Sequence, residues 1–149
     1  MKNAIHIARV LCLIIAMGSL GACSHSPSRA QAEQMRLARQ ADANYRGGNF
    51  DMARKQYTSL VKMQPKFAAG YVRLGVIAYR DGQKDLARSQ FELALKADPR
   101  NAQASFNLAM LHLDDAARLL DDYIQRSPPG QTEHARVLLS QLRSHGSGE

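Results

Sequence analysis

Residues 71–99 read YVRLGVIAYRDGQKDLARSQFELALKADP, and residues 45–65 read YRGGNFDMARKQYTSLVKMQP. Shifted by 34 positions, Tyr45-Arg46 falls on Tyr79-Arg80, Gly48 on Gly82, and Asp51 on Asp85. Ala53-Arg54 falls on Ala87-Arg88, Gln56 on Gln90, Lys62 on Lys96 and Pro65 on Pro99, giving nine identities in 21 positions. Tyr57 over Phe91 is a conservative match, and small residues recur at Ala41, Gly75 and Ala109 with the same period. One or two identities would be expected by chance, so the chain carries an internal repeat. Within each copy the apolar residues keep helical spacing. Asp81-Gly82 supplies a tight turn, and Pro99 stops the second helix. Gly75 and Ala87 are small where the two helices are expected to cross closely, with Tyr71, Leu74 and Phe91 filling the surrounding space.

This period, together with Tyr71-x-x-Leu74-Gly75, Ala87, Phe91, Ala94 and Pro99, resembles the tetratricopeptide repeat, a helix–turn–helix unit. Ala78 stands where that family often carries an aromatic. The first copy departs further, placing Leu37 at the Tyr71 position and polar Gln40 at the core position of Leu74. The expected fold is an all-α solenoid over residues 34–128, with two full repeats and a shortened third. In the third copy Ala102, Leu108 and Ala109 keep the full offset, whereas Ala116, Leu120 and Pro128 match at an offset five positions shorter, so the turn glycine is gone. Phe106, Ala109, Leu113, Ala116, Leu120 and Tyr123 form one apolar seam without a breaker. That seam predicts one uninterrupted helix from Ala102 to about Arg126; the alternative is a tight hairpin at Asp114-Asp115. The seam also offers a route to self-association. Residues 129–143 are expected to form a capping helix started by Thr132, with Ala135, Leu138, Leu139 and Leu142 in one stripe. Residues 144–149 are expected to be disordered.

The resemblance implies a concave groove made by the first helix of each repeat. Its lining would be Ala38, Asp42, Tyr45 and Arg46, then Val72, Val76, Tyr79 and Arg80, then Phe106 and Met110. The recurring Tyr-Arg pairs suit a peptide partner: tyrosine gives contact area, and arginine can pair with carboxylates. Alternatively, Tyr45 and Tyr79 pack against the next repeat and the arginines are solvated. Chaperone-binding members use asparagines where Asp42 and Val76 stand, so that specialised activity is not expected.

The N-terminus reads as an address. Lys2 and Arg9 precede the apolar run from Val10 to Met17, which is shorter than the roughly 20 residues a bilayer span needs. Leu20-Gly21-Ala22-Cys23 resembles the bacterial lipobox. By that resemblance residues 1–22 are a signal peptide, Cys23 is acylated, and the mature chain begins at Cys23. Several acyl chains would anchor it stably. Ser24 resembles the outer-membrane default in Gram-negative bacteria, which implies a periplasm-facing outer membrane lipoprotein with residues 23–33 as a flexible tether. Cys12 would leave with the signal, so neither a disulfide nor a thiolate metal site is expected.

The chain has 149 residues, 45% hydrophobic and 22% charged, with a net charge of +7. Two of those charges lie in the first 22 residues, leaving +5 on the remainder. Export and the lack of aromatics interleaved with the basic residues argue against nucleic acid as a partner. No phosphate loop, nucleophile elbow or zinc-protease helix is present in the sequence, so no catalysis and no cofactor are expected. His112 reads as structural, and Asp114, Asp115, Asp121 and Asp122 as a solvated, ion-paired face near Arg118 and Arg126 rather than a metal site. The expected function is a non-enzymatic adaptor for a subunit of an envelope machine, similar to pilotins and the repeat lipoproteins of pilus and secretion systems. The alternative is a regulator of a cell-wall or polysaccharide-synthesising enzyme acting through the C-terminal helices.

Overall fold

The computed structural model describes residues 28–128 and 130–146. The lipobox, Cys23 and most of the expected tether lie outside them. Six helices form, with no strand among the described residues: α1 Arg29–Arg46, α2 Phe50–Met63, α3 Ala68–Arg80, α4 Lys84–Ala97, α5 Ala102–Arg126 and α6 Glu133–Gly146. The repeats lie within one compact unit, Glu33–Glu149.

The repeat begins with its turns. After α1 the chain reaches φ +77° at Gly48, and after α3 it reaches φ +75° at Gly82, a region open to glycine at little cost. Asn49 N–H then donates to Asn44 O at 2.8 Å and Gly48 N–H to Tyr45 O at 3.2 Å. Gln83 repeats this to Ala78 O at 2.9 Å and Gly82 to Tyr79 O at 3.0 Å. This pair of bonds satisfies the last carbonyls of each helix and sends the chain directly into the next. α2 and α4 end just before Pro65 and Pro99, as expected of a residue that cannot continue a helix.

Packing follows the small positions. A Cβ on Gly75 would lie 2.5–2.9 Å from ring atoms of Phe91, so the absent side chain is what lets α4 press onto α3. Ala87 and Ala94 are fully buried alongside. One cluster joins the first repeat to the second through Ala41, Ala53, Tyr57, Leu60 and Ile77. Another, built from Ala78, Ala87, Phe91 and Leu111, joins the second repeat to α5. Leu74 packs on the first cluster, most of which the preceding repeat supplies. Gln40, at the same repeat position, is exposed rather than in the core.

The third copy is one helix, as the unbroken seam predicts. α5 spans 25 residues, about 37 Å, with Asn101 Oδ1 accepting from Ala104 N–H at 2.9 Å at its start. Where a turn glycine would stand, Asp114 pairs with Lys84 and Asp115 with Arg88, fastening α5 to α4. The seam itself is not the buried face. Ala104 and Leu111 are buried, with Leu108 packed beside them, whereas Phe106, Leu113 and Tyr123 are 61%, 41% and 48% exposed. The first half of α5 turns its Ala104–Leu108–Leu111 stripe to α3 and α4. α6 lies along the later part of α5, where Leu138 and Leu142 share one cavity with Ala116, Leu119 and Leu120, and Leu142 shares another with Leu113. Ala135 and Leu139 of α6 are buried, as is Thr132. The Thr132 hydroxyl accepts from Arg136 Nε at 3.2 Å, and its carbonyl takes the Arg136 N–H at 2.9 Å.

Two boundaries differ from expectation. α1 starts at Arg29, inside the stretch read as tether, because Ser28 and Gln31 exchange hydrogen bonds. Gln31 N–H donates to Ser28 Oγ at 3.2 Å and Ser28 N–H to Gln31 Oε1 at 2.8 Å, a reciprocal cap. α6 continues to Gly146, into the stretch read as disordered. Ser140 before it and Ser144 at its start turn their hydroxyls back onto the helix carbonyls of Val137 and Gln141, at 2.7 and 2.8 Å, so their polarity does not interrupt the helix.

The two kinds of glycine should respond differently to substitution. Gly75→Ala should cost roughly 1–3 kcal/mol in urea unfolding through overpacking, with part of the loss recovered by Phe91→Leu in the same chain. Gly82→Ala should cost about 1–2 kcal/mol through its left-handed backbone alone, and Phe91→Leu should restore nothing there.

Candidate functional site

Because the second and third copies repeat the first at a fixed offset, positions on the first helix of each copy fall into rows along the array. The rows are Ala38–Val72–Phe106, Asp42–Val76–Met110, Tyr45–Tyr79–Leu113, Arg39–Arg73–Asn107 and Arg46–Arg80–Asp114. All ten expected groove residues lie in four of these rows.

At the α1 end the groove is filled by its own side chains. Tyr45 stands edge-on to Phe50 and Tyr57, with ring centroids 5.7 and 6.5 Å away, and the Arg73 guanidinium lies 4.5 Å over its face. Tyr45 therefore packs against the next repeat and is not a free contact. Ala38 is half-buried against the first core cluster. Asp42 is exposed, and its Oδ1 accepts from the Tyr57 hydroxyl at 2.5 Å. Burial of Tyr57 and this neighbouring carboxylate together push the phenol well above its ordinary value. Arg46 is exposed.

In the middle, Val72 is buried and belongs to the core, while Val76 is half-buried and Tyr79 half exposed. Arg80 does not extend over the groove. Its guanidinium lies 3.9 Å over the Phe50 ring and 3.4 Å from Asp81 Oδ1. Of the two Tyr-Arg pairs, then, Tyr45 and Arg80 are turned onto the Phe50 ring, whereas Tyr79 and Arg46 are exposed.

At the α5 end the groove is open and apolar. A cavity of about 230 Å³ is lined by Val76, Tyr79, Phe91, Asn107, Met110 and Leu111. A second, of about 490 Å³, shares Tyr79 and Met110 and continues past Leu113, Asp114 and Ala117 to Leu142 and Arg143 of α6, so its far edge is charged. Phe106 is the most exposed large apolar residue among those described. Asn107 Oδ1 accepts from Gln103 Nε2 at 3.2 Å, and its buried Nδ2 has no partner.

Leu113 and Asn107 are not among the expected groove residues. The signal for both is present in the sequence: they lie one repeat period after Tyr79 and Arg73. The seam spacing assigns Leu113 to a different face.

The acidic residues of α5 are engaged. Besides the pairs to Lys84 and Arg88, Asp122 meets Arg126 at 2.8 Å and Asp121 meets Arg143 at 3.5 Å. Two of these partners come from α4 and one from α6, so the face fastens helices together as well as meeting solvent. Arg88 Nη1 also lies 3.2 Å from His112 Nδ1; with the guanidinium donating, this ring nitrogen accepts, which is a structural role. Among the described residues no group of His, Cys, Asp or Glu could hold a metal ion, and no helix is long and apolar enough to cross a membrane.

A family model described as tetratricopeptide repeat matches residues 38–99 and again 78–131, which together span more than half of the chain. The chain belongs to the tetratricopeptide repeat family. The first match spans both full repeats, and the second runs through α5, so the long helix is a modified third repeat. No curated protein matches the chain. Tetratricopeptide repeats are protein–protein interaction modules and are generally non-enzymatic, and the open apolar groove of α3 and α5 accords with that role.

Tyr57 links this site to stability. Its folded-state pKa is raised, so its contribution is fully present below the unfolded tyrosine value of about 10 and fades as pH rises above it. The urea midpoint should therefore fall more steeply above about pH 10 in wild type than in Tyr57→Phe.

Proposed function

We propose that this protein is a non-enzymatic adaptor that holds a segment of a protein partner against Tyr79, Met110, Leu113 and Phe106. The observation that carries the reading is the pair of adjoining, mostly apolar cavities on the concave face, the second edged by Asp114 and Arg143, with large apolar side chains left open around them. Isolated exposed apolar residues are ordinary, but a contiguous apolar groove of this kind is characteristic of a docking surface. The ligand would place bulky apolar side chains where the third repeat replaces the small and charged residues of the first.

The partner we propose is a subunit of a pilus, secretion or other envelope assembly. Acylation of Cys23 would hold the protein at the outer membrane, facing the periplasm, and the order of apolar run, small residues and cysteine supports this. Multiple acyl chains suffice for stable anchoring.

A second reading is favoured by Leu119, Tyr123, Val137 and Leu138, which are exposed along α5 and α6. Here these two helices, rather than the groove, contact a cell-wall or polysaccharide-synthesising enzyme and regulate it.

Two experiments test these readings. Metabolic labelling with palmitate should mark the wild type and not Cys23→Ser, which should also leave the membrane fraction; equal labelling of both would refute the anchor. In crosslinked pull-downs from detergent-solubilised membranes, Tyr79→Ala/Met110→Ala should lose an envelope-assembly subunit while helix content by circular dichroism is unchanged. An unchanged partner list in that variant, with loss on deletion of residues 131–149, would transfer the function to α5 and α6.

A further inference from the structure

The concave face changes character along its length. Its rows begin in the first repeat with Arg39, Asp42 and Arg46 and end in the third with Asn107, Met110 and Asp114, while Ala38 gives way to Phe106. Both acids are already engaged, Asp42 by the Tyr57 hydroxyl and Asp114 by the Lys84 ammonium. The arginines at the α1 end are not. Arg39 and Arg46 are exposed, and neither meets a carboxylate among the described residues. Arg73 lies over the Tyr45 ring and also interacts with the Tyr57 hydroxyl, adding its positive charge to this end of the groove. One end of the groove therefore carries three arginines against the single carboxylate of Asp42, and the other is mostly apolar and open, with Asp114 already paired to Lys84.

We propose that the groove takes a segment of two-part chemistry: bulky apolar side chains seated at Phe106, Met110 and Leu113, joined to acidic side chains that lie along Arg39, Arg46 and Arg73. This deepens the groove reading above and rests on it. Each half has a separate physical task. Apolar contact at the α5 end supplies affinity through area removed from water. The arginine end steers the segment and fixes which way it runs, because a reversed segment would place its carboxylates beside Asp114 and its apolar residues among guanidinium groups. A purely apolar segment would leave the arginines uncompensated, and a basic one would be repelled.

Random-peptide display against the purified protein in detergent tests this directly. Selected peptides should combine two or more Leu, Ile, Met or Phe with a neighbouring run of Asp or Glu. Synthetic copies should bind roughly tenfold more weakly at about 500 mM than at about 50 mM salt. Arg39→Glu/Arg46→Glu should weaken them about tenfold and remove most of the salt dependence, while Phe106→Ala/Met110→Ala should weaken them with that dependence retained. Helix content by circular dichroism should be unchanged in both variants. Selected peptides without acidic enrichment, lost in Phe106→Ala/Met110→Ala but indifferent to Arg39→Glu/Arg46→Glu, would overturn the two-part proposal and leave the groove reading intact. No enrichment over blank resin, or binding indifferent to both variants, would overturn the proposal and the groove reading together.

Discussion

The contact between Phe91 and the bare backbone of Gly75 governs the rest of the molecule. It sets how closely α4 approaches α3, and through Ala87 and Ala94 it extends that close approach along both helices. With α4 held there, its Lys84 and Arg88 meet Asp114 and Asp115 of α5, and the Phe91 ring itself forms part of the floor beneath Val76, Tyr79 and Met110. The same aromatic residue thus holds a repeat together on one side and lines a candidate binding cavity on the other. A change at this contact would therefore propagate to the groove without any groove residue being touched.

The first repeat achieves the corresponding closure by different means. Tyr57 stands where Phe91 stands in the second copy, and its hydroxyl donates to Asp42. This hydrogen bond, the Tyr45–Phe50 edge contact and the Arg73 and Arg80 guanidinium groups over those rings build a polar-aromatic layer between α1, α2 and α3. The layer fills the concave face at that end, so the open part of the groove moves toward α5. Binding surface and packing surface are drawn from the same rows of residues, and the division between them depends on which rows find partners within the chain.

Much of this is legible in sequence. The periodic identity pattern gives the helices and turns, and the absence of a glycine between Leu113 and Ala116 gives the single long helix. Tether and tail are harder to read because small polar residues such as Ser28 and Ser144 suggest loop by composition, whereas their hydroxyls in fact bond within helices. The groove is half legible. Spacing places Arg80 and Tyr45 on the right helices, yet their orientation is decided by Phe50, a residue of α2 whose proximity no period reveals. Leu113 belongs to two periodicities at once, the heptad-like seam and the rows of the repeat, and only packing decides between them.

The continuity of α5 has one more consequence. In an ordinary repeat array each unit can loosen at its own hinge, because a glycine turn separates the helices that touch different neighbours. Here one helix is shared: its first half belongs to the second repeat's interface and its second half to that of α6, with no hinge between them. Helical hydrogen bonds propagate order along such a rod, so the C-terminal end cannot open as an independent cooperative unit without perturbing the wall of the groove. An event at α6 would be felt at Met110 through a single stiff element, giving this small array a mechanical link that a regular third repeat would lack.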